Sequence, residues 1–300
     1  MGSRFTLHAS RFTHPIRVAY FGREGSYSHQ VALHELGRDA SYKACPTSQQ
    51  VVDALLDGSA NRGVVPIENS ISGMIPESID AIVSRGFISS GYRIREQWHV
   101  PIELSLLGNS PMSRIRTVYS HPFPLAYLKK WLDQRLPRAE RIETVSTTEG
   151  AYLASRRRGS AAIASAKAAP IYRLKVLKSR LSDPKKYQTR FYLLAPGDSK
   201  SEIRNQKSNQ VALCFSLPNR PGTLVGALEV FARYRLNMTR IISRPLAKRT
   251  GIFNTDEYLF WVDLESDPSH PRFAKMLAGL GRKTKHYDIL GIYRTRVVRV

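Results

Sequence analysis

Glu68, Asn69 and Ser70 follow directly on the apolar run Val64-Val65-Pro66-Ile67, within the stretch GVVPIENSISGMIPESID at 63–80. A short apolar run ending in polar residues reads as a buried strand delivering side chains at its carboxyl end, where open α/β sheets bind ligands. A carboxylate placed there is a candidate for proton transfer if burial raises its pKa, while an amide and a hydroxyl can supply oriented hydrogen bonds. The same residues also fit a strand followed by a capped turn, with Glu68 satisfying backbone donors at a helix start. A second polar pair, Thr189-Arg190, opens another apolar run at 191–195. Ser26 beside Gly25, and Ser146 with Thr147 and Thr148, stand just ahead of helical patterns. Helix starts bind anions through free backbone donors, which suits carboxylates; ordinary capping is the competing use of the same hydroxyls.

Such residues need a scaffold, and the chain alternates strand and helix patterns. Ile16, Val18, Tyr20 and Phe21 predict a strand, and GREGSYSHQVALHELG predicts a glycine turn, a serine cap and a helix closing at Gly37. Thr47 and Gln50 form a capping-box signature ahead of Val51, Val52, Leu55 and Leu56. A helix through Ile79, Ile82 and Val83 follows the Val64 strand. Further strands are predicted over 99–108, in IRTVYSHPF, in SAAIAS and over 189–195, with helices in LAYLKKWLDQRL, EGAYLASRRRG and AKAAPIYRL. This alternation favours a mostly parallel α/β sheet. Residues 196–209 are polar and turn-rich, as in a linker. Beyond them the order becomes βαββαβ, the ferredoxin-like arrangement of an α+β module. The expected division is a basic extension at 1–15, an α/β body at 16–195, a linker at 196–209 and a module at 210–300.

The chain carries 46 basic against 24 acidic residues, a net charge of +22. That excess raises nucleic acid as a partner, but it is spread over both parts of the chain and no zinc-finger, RRM or homeodomain pattern accompanies it. A basic surface equally attracts small polyanionic metabolites, and neither nucleic acid nor membrane is expected as a partner. No apolar run reaches the roughly 18 residues of a membrane span. The N-terminus lacks the apolar core of a secretory signal. Cys45 and Cys214 lie far apart with no metal-type spacing, so two free thiols in a reducing cytoplasm are expected.

Taken together, FGREGSYSHQVA, GVVPIENSISGMIPESID, YSHPFPLA, SAAIASAKAAPIYRL and QTRFYLL resemble, in order, the motifs of the prephenate dehydratase family. NRPGTLVGAL and ISRP resemble the two phenylalanine-binding motifs of its C-terminal ACT domain. The resemblance covers roughly residues 16 to 295. It implies two α/β subdomains flanking a cleft, as in periplasmic binding proteins, followed by the ferredoxin-like ACT domain. It also implies the loss of carboxylate and hydroxyl from prephenate to give phenylpyruvate, in phenylalanine biosynthesis, with no metal or organic cofactor.

By the same resemblance Thr189 is the essential threonine and would hydrogen-bond the departing hydroxyl. A free threonine hydroxyl is a very poor acid, so its neighbours must polarise it. Arg190 would pair with a substrate carboxylate. A β-branched strand residue and a surface charge are the plainer readings of the two. Glu68 and Asn69 join Thr189 as catalytic candidates, and Ser70, Ser26, Ser146 and Thr147 join Arg190 as substrate-binding ones. Phenylalanine, as effector, would bind at Asn219, Pro221, Gly222, Leu224, Ser243, Arg244 and Pro245, and pairing of the modules would give a homodimer or homotetramer. His29 and His121 lie inside motif segments with structural and catalytic readings both open.

Three positions depart from the family pattern. Phe123 stands where glutamine is common, Tyr187 where asparagine is usual, and Ile242 where a glutamate precedes Ser-Arg-Pro. The first two bear on activity or substrate choice, the third on the phenylalanine response. Arogenate dehydration, or a decayed amino-acid sensor, are the alternative functions.

Overall fold

The computed structural model describes residues 15–197, 210–245 and 257–300. The basic extension and nearly all of the expected linker therefore lie outside the described residues.

The first lobe is built from β1 (Arg17–Phe21), α1 (Tyr27–Leu36), β2 (Ser41–Cys45), α2 (Ser48–Leu56), β3 (Arg62–Asn69), a two-residue β4 (Gly73–Met74), α3 (Pro76–Ile82) and α4 (Arg85–Ser89). Local chemistry sets its helix ends. The Ser26 hydroxyl accepts from the His29 N–H to cap α1, which stops at Gly37 with φ +82. Thr47 and Gln50 form both halves of the capping box on α2. β5 (Tyr92–Pro101) then leads into a second lobe of β6 (Ser105–Gly108), β7 (Thr117–Ser120), α5 (Pro122–Tyr127), α6 (Lys129–Arg135), β8 (Glu140–Glu143), α7 (Thr147–Arg156), β9 (Ser160–Ala164), α8 (Ala168–Ile171) and β10 (Lys175–Lys178). The chain returns through β11 (Gln188–Pro196), antiparallel to β5. The C-terminal part runs β12 (Gln210–Pro218), α9 (Thr223–Arg233), β13 (Asn237–Pro245), β14 (Glu257–Glu265), α10 (Pro271–Gly281) and β15 (His286–Val297).

The second lobe has its own sheet, in the order β10-β6-β9-β7-β8. The first lobe and the C-terminal part share one, in the order β13-β14-β12-β15-β5-β11-β3-β1-β2, with β4 added on β3. Two cores flank the β3–β11 region of this large sheet. Val65, Ile67, Ile94, Tyr192 and Leu194 face α2 and α3, together with Trp261 and Tyr293 of the C-terminal part. Val64, Trp98, Tyr187, Phe191 and Leu193 face the other way, against Val31 of α1 and the second lobe's Leu106, Val118 and Leu132.

Several elements differ from the sequence reading. The C-terminal part has the expected βαββαβ order, but its sheet is continuous with that of the first lobe. β15 pairs antiparallel with β12 and, from Gly291 onward, parallel with β5. A Cβ on Gly291 would lie 2.3 Å from the Ile94 carbonyl oxygen, so only glycine allows this approach. The strand expected over 99–108 is two strands, β5 reaching back to Tyr92 and β6 starting at Ser105. The helix expected in LAYLKKWLDQRL breaks at Leu128 into α5 and α6. β2, β8 and β10 carry few buried side chains, and no apolar alternation marks them in the sequence.

Candidate active site

The carboxyl end of β3 and the start of β11 pair antiparallel, with Asn69 opposite Thr189 and Glu68 opposite Arg190; the next pair is Pro66 with Phe191. Ile67 is thus one residue too many for the ladder, a bulge beside a proline that has no N–H to give. The bulge reverses the phase of β3. Ile67 and Glu68 project to the same side, and Asn69 crosses to the other. Glu68, Asn69 and Ser70, read from sequence as delivered together at the end of this strand, therefore do not share one face with Thr189 and Arg190. The structure forms two pairs on opposite faces of the sheet.

On the face shared with Tyr187 and Phe191, the Asn69 Oδ1 accepts from the backbone N–H groups of Ile71 at 2.9 Å and Ser72 at 3.3 Å. That fixes the amide's orientation. Its Nδ2 then donates to the Thr189 Oγ1 at 2.8 Å. Since the threonine oxygen is already an acceptor, its own proton is free to be donated elsewhere. Thr189 is 8% exposed. Tyr187 also hydrogen-bonds Asn69, and burial pushes its phenol up to about 12. Its ring packs on Tyr127 with centroids 5.1 Å apart. Ser70 does not join this group. Its hydroxyl donates to the Lys186 carbonyl at 2.7 Å and accepts from the Gln188 N–H at 2.9 Å, clipping the loop after β3 to the start of β11.

On the opposite face Arg190 Nη1 meets Glu68 Oε2 at 2.9 Å. The same oxygen meets Arg240 Nη2 of β13 at 2.7 Å, and Arg240 Nη1 lies 2.6 Å from Asp263 Oδ2. Arg240 also donates to the Tyr192 hydroxyl at 2.9 Å, and the Trp261 indole donates to Asp263 Oδ1 at 2.7 Å. Burial pushes the Asp263 carboxyl up, against the pull of Arg240 and of these hydrogen bonds. Burial would lower the Arg240 guanidinium, but Tyr192, Asp263 and Glu68 together hold it above its usual value. His99, opposite Arg190 on β5, is held below its usual pKa by burial first and then by Arg190. Arg190, read from sequence as a substrate clamp, is thus paired with Glu68 on the face away from Thr189. Arg240, Asp263 and His99 were missed by that reading. One signal was present for Asp263: in EYLFWVDLE it shares the buried phase of Leu259 and Trp261.

The carboxyl edges of the two sheets meet across the lobes. Gly25, at φ +81, packs so closely on α8 that a Cβ would lie 2.8 Å from Ile171 Cδ1. The Ser165 hydroxyl donates to Gln30 Oε1 at 3.3 Å, and the Tyr172 hydroxyl to the Glu24 carbonyl at 2.8 Å. Ser146 caps α7 by accepting from the Glu149 N–H at 3.1 Å, with Thr147 as the first helical residue. Arg23, in the turn before α1, reaches Glu149 in the first turn of α7 at 3.9 Å. The starts of these two ten-residue helices therefore approach each other from opposite lobes. Both histidines in the motif segments order turns. His29 Nδ1 accepts from the Gly25 N–H at 3.0 Å, and His121 Nδ1 from the Phe123 N–H at 3.4 Å. Phe123 is exposed beside the His121 ring.

A pocket of about 340 Å³ in the C-terminal part is lined by Asn219, Gly222, Leu224 and Ser243, with Tyr258 and Phe260. Pro221 and Pro245 are exposed and do not line it, and Arg244 turns away to a bidentate pair with Asp80 of α3, with Nε 2.8 Å from Oδ1. Ile242 also faces away, packed on the core of the first lobe. No cluster of His, Cys, Asp and Glu among the described residues could hold a metal, and no described helix is long and apolar enough to cross a membrane.

Residues 18–199 match the prephenate dehydratase family model. The chain is 34% identical, over 93% of its length and 73% of the relative's, to a bifunctional chorismate mutase/prephenate dehydratase of Aquifex aeolicus. It is 33% identical to the prephenate dehydratase of Lactococcus lactis subsp. cremoris, covering 93% of this chain and 97% of that one. Among solved structures, the prephenate dehydratase of Arthrobacter aurescens in complex with L-Phe superposes with a TM-score of 0.81 at 26% identity, covering 93% and 90% of the two chains. A structure described as a quorum-quenching acylase, GqqA, superposes with a TM-score of 0.79, also at 26% identity, covering 93% and 98%. The family model covers more than half of the chain and the relatives match along most of it: the chain belongs to the prephenate dehydratase family, and its activity is prephenate dehydration.

Proposed function

We propose that Thr189, oriented by Asn69, is the group that assists departure of the prephenate hydroxyl. The single observation behind this is the direction of the Asn69–Thr189 hydrogen bond. Asn69 donates, so the threonine proton points outward as a donor. In the reaction the ring loses carbon dioxide as the bond to the hydroxyl breaks, and the electron pair released aromatises the ring. Aromatisation supplies the driving force, so the protein has to hold the substrate's carboxylates and lower the cost of a leaving hydroxide. The facing starts of α1 and α7, capped by Ser26 and Ser146, offer backbone donors for those carboxylates. Glu68 and Arg190 hold one another behind this site.

The C-terminal βαββαβ unit acts in this reading as an ACT regulatory domain, and phenylalanine is its effector in the pocket at Asn219, Gly222, Leu224 and Ser243. The L-Phe complex of the Arthrobacter relative supports that choice. Among the described residues β13 ends the shared sheet, so its outer edge is where a second copy would add to form a homo-oligomer. Two buried free thiols fit a reducing cytoplasm.

The test is turnover of prephenate, followed as phenylpyruvate by its absorbance in alkali, with arogenate alongside. Thr189→Val keeps the shape and removes the donor. It should lower kcat by about 10²- to 10⁴-fold with little change in thermal stability. Full activity in that variant would refute the assignment.

A further inference from the structure

We propose that Arg240, a residue of the C-terminal module, is a positioning residue for dehydration, acting through Glu68 on the Asn69–Thr189 pair. The inference rests on the reading of Asn69 and Thr189 as the reacting pair.

Glu68 precedes Asn69 in the chain, and Arg190 follows Thr189. The two cross-strand pairs are adjacent rungs of one ladder, one rung facing the lobe interface and the other the module. The bulge at Ile67 interrupts the ladder just before these rungs; beyond it Glu68 and Asn69 pair with Arg190 and Thr189 of β11 on one side and with Met74 and Gly73 of β4 on the other, which completes β3. What holds it on the module side is the Glu68 carboxylate, whose Oε2 takes both Arg190 and Arg240. Arg240 is itself anchored at both ends of its guanidinium. Its side chain is 9% exposed and its other end is fixed on Asp263 and Tyr192, inside a cluster that includes Trp261 and Tyr293. Arg190, by contrast, is 41% exposed and has a far freer side chain. The rigid end of the chain of charges is therefore in the module. It reaches the active strand through one guanidinium group.

The position of Arg240 within β13 gives this contact a second meaning. Ser243 lines the proposed effector pocket, whereas Arg240, Ile242 and Arg244 all face the first lobe, at Glu68, the apolar core and Asp80. One strand thus has the pocket on one side and its grip on the active-site elements on the other. A shift of β13 when the pocket fills would be felt at Glu68 before anywhere else in the site. Ile242 lies between the two arginines on the gripping side. Ile242 is thus part of the gripping surface and leaves the pocket lining to its neighbour Ser243.

The experiment compares Arg240→Lys with Arg240→Met made together with Asp263→Asn, which leaves no buried carboxylate unpaired. Fold is checked by circular dichroism and thermal unfolding, and kcat and KM for prephenate are measured. The expected result is a fall in kcat of about ten- to a hundredfold in the double variant, from misplacement of the reacting pair. KM should change much less, and Arg240→Lys should recover part of the loss. In a Glu68→Gln background the same replacement should add little further loss, because the path through Glu68 is already cut. Unchanged kcat in the folded double variant would overturn the proposal, and so would a loss fully multiplicative with Glu68→Gln. If Thr189→Val retained activity, the reading of the reacting pair would fail instead. A silent Arg240 beside an essential Thr189 sinks this inference alone.

Discussion

The two faces of the β3–β11 ladder use opposite chemistries one residue apart. Toward the second lobe, Asn69 and Thr189 form a neutral pair joined by one hydrogen bond. Toward the module, Arg190, Glu68, Arg240 and Asp263 form an unbroken chain of alternating charge, its far end buried. A neutral donor–acceptor pair can leave a proton unshared for a departing group. A charge chain spends its donors and acceptors on its own members instead, and so holds backbone segments in place. Separating the two tasks by the pleat of a single strand pair lets each be optimised without the other.

The largest effect expected from breaking this division comes from reversing the polarity of the neutral pair. Asn69→Asp keeps the acceptor that orders the turn at Ile71 and Ser72. It replaces the amide donor with a carboxylate oxygen, which can only accept. Thr189 would then give its proton to residue 69 and none to substrate. The expected loss in kcat is about 10²-fold or more, approaching that of Thr189→Val, with the fold retained. Asn69→Asp activity near wild type would show that the direction of this hydrogen bond is irrelevant.

The next effect belongs to the charged face and appears in stability. Arg240→Met alone leaves Asp263, 2% exposed, without its cation. Breaking a buried pair by removing one partner costs about 3–5 kcal/mol, a fall in Tm on the order of 10 °C for a chain of this size. Adding Asp263→Asn should restore most of that loss, because the amide introduced at position 263 can still accept from Trp261 and donate to Tyr192. Equal melting temperatures for the single and double variants would mean that Asp263 is not held as a charge by Arg240.

Much of this was readable before the structure, and the unread part has a physical cause. The caps at Ser26, Thr47 and Ser146 and the strand ending at Glu68 are local, and local signals survive in sequence. Glu68 and Asn69 stood out as polar residues ending an apolar run, whereas Thr189 and Arg190 were singled out by the resemblance of QTRFYLL to a family motif. Which face each occupies was not readable, because a single extra residue at Ile67 inverts the alternation. The role of Arg240 was hidden for a different reason. In MTRIISRP it is one basic residue among 46 in the chain, and its partner Glu68 lies 172 positions away. The junction of β15 with β5 was hidden likewise, since nothing local in YDILGIY announces that Gly291 will lie against Ile94.

The smallest expected effect separates the two faces by pH. His99 lies opposite Arg190, on the charged side, and burial together with Arg190 and Arg240 holds its pKa below the ordinary 6.5, against the opposing influence of Glu68. A histidine depressed in the folded state takes up fewer protons than it does unfolded. Stability from this group is therefore complete above about pH 6.5 and is lost as the pH falls through that value toward the folded pKa. His99→Gln removes the titration while keeping a hydrogen-bonding side chain beside Gln97. It should flatten the decline of Tm as the pH falls below about 6.5, leaving a residual slope from His29 and His121, whose pKa values burial also lowers. Turnover at neutral pH should change little, because the proton proposed to assist the leaving hydroxyl is that of Thr189, on the other face. If His99→Gln instead lowered kcat at neutral pH as strongly as Asn69→Asp, the two faces would be one site, and the division of labour argued from the bulge at Ile67 would fail.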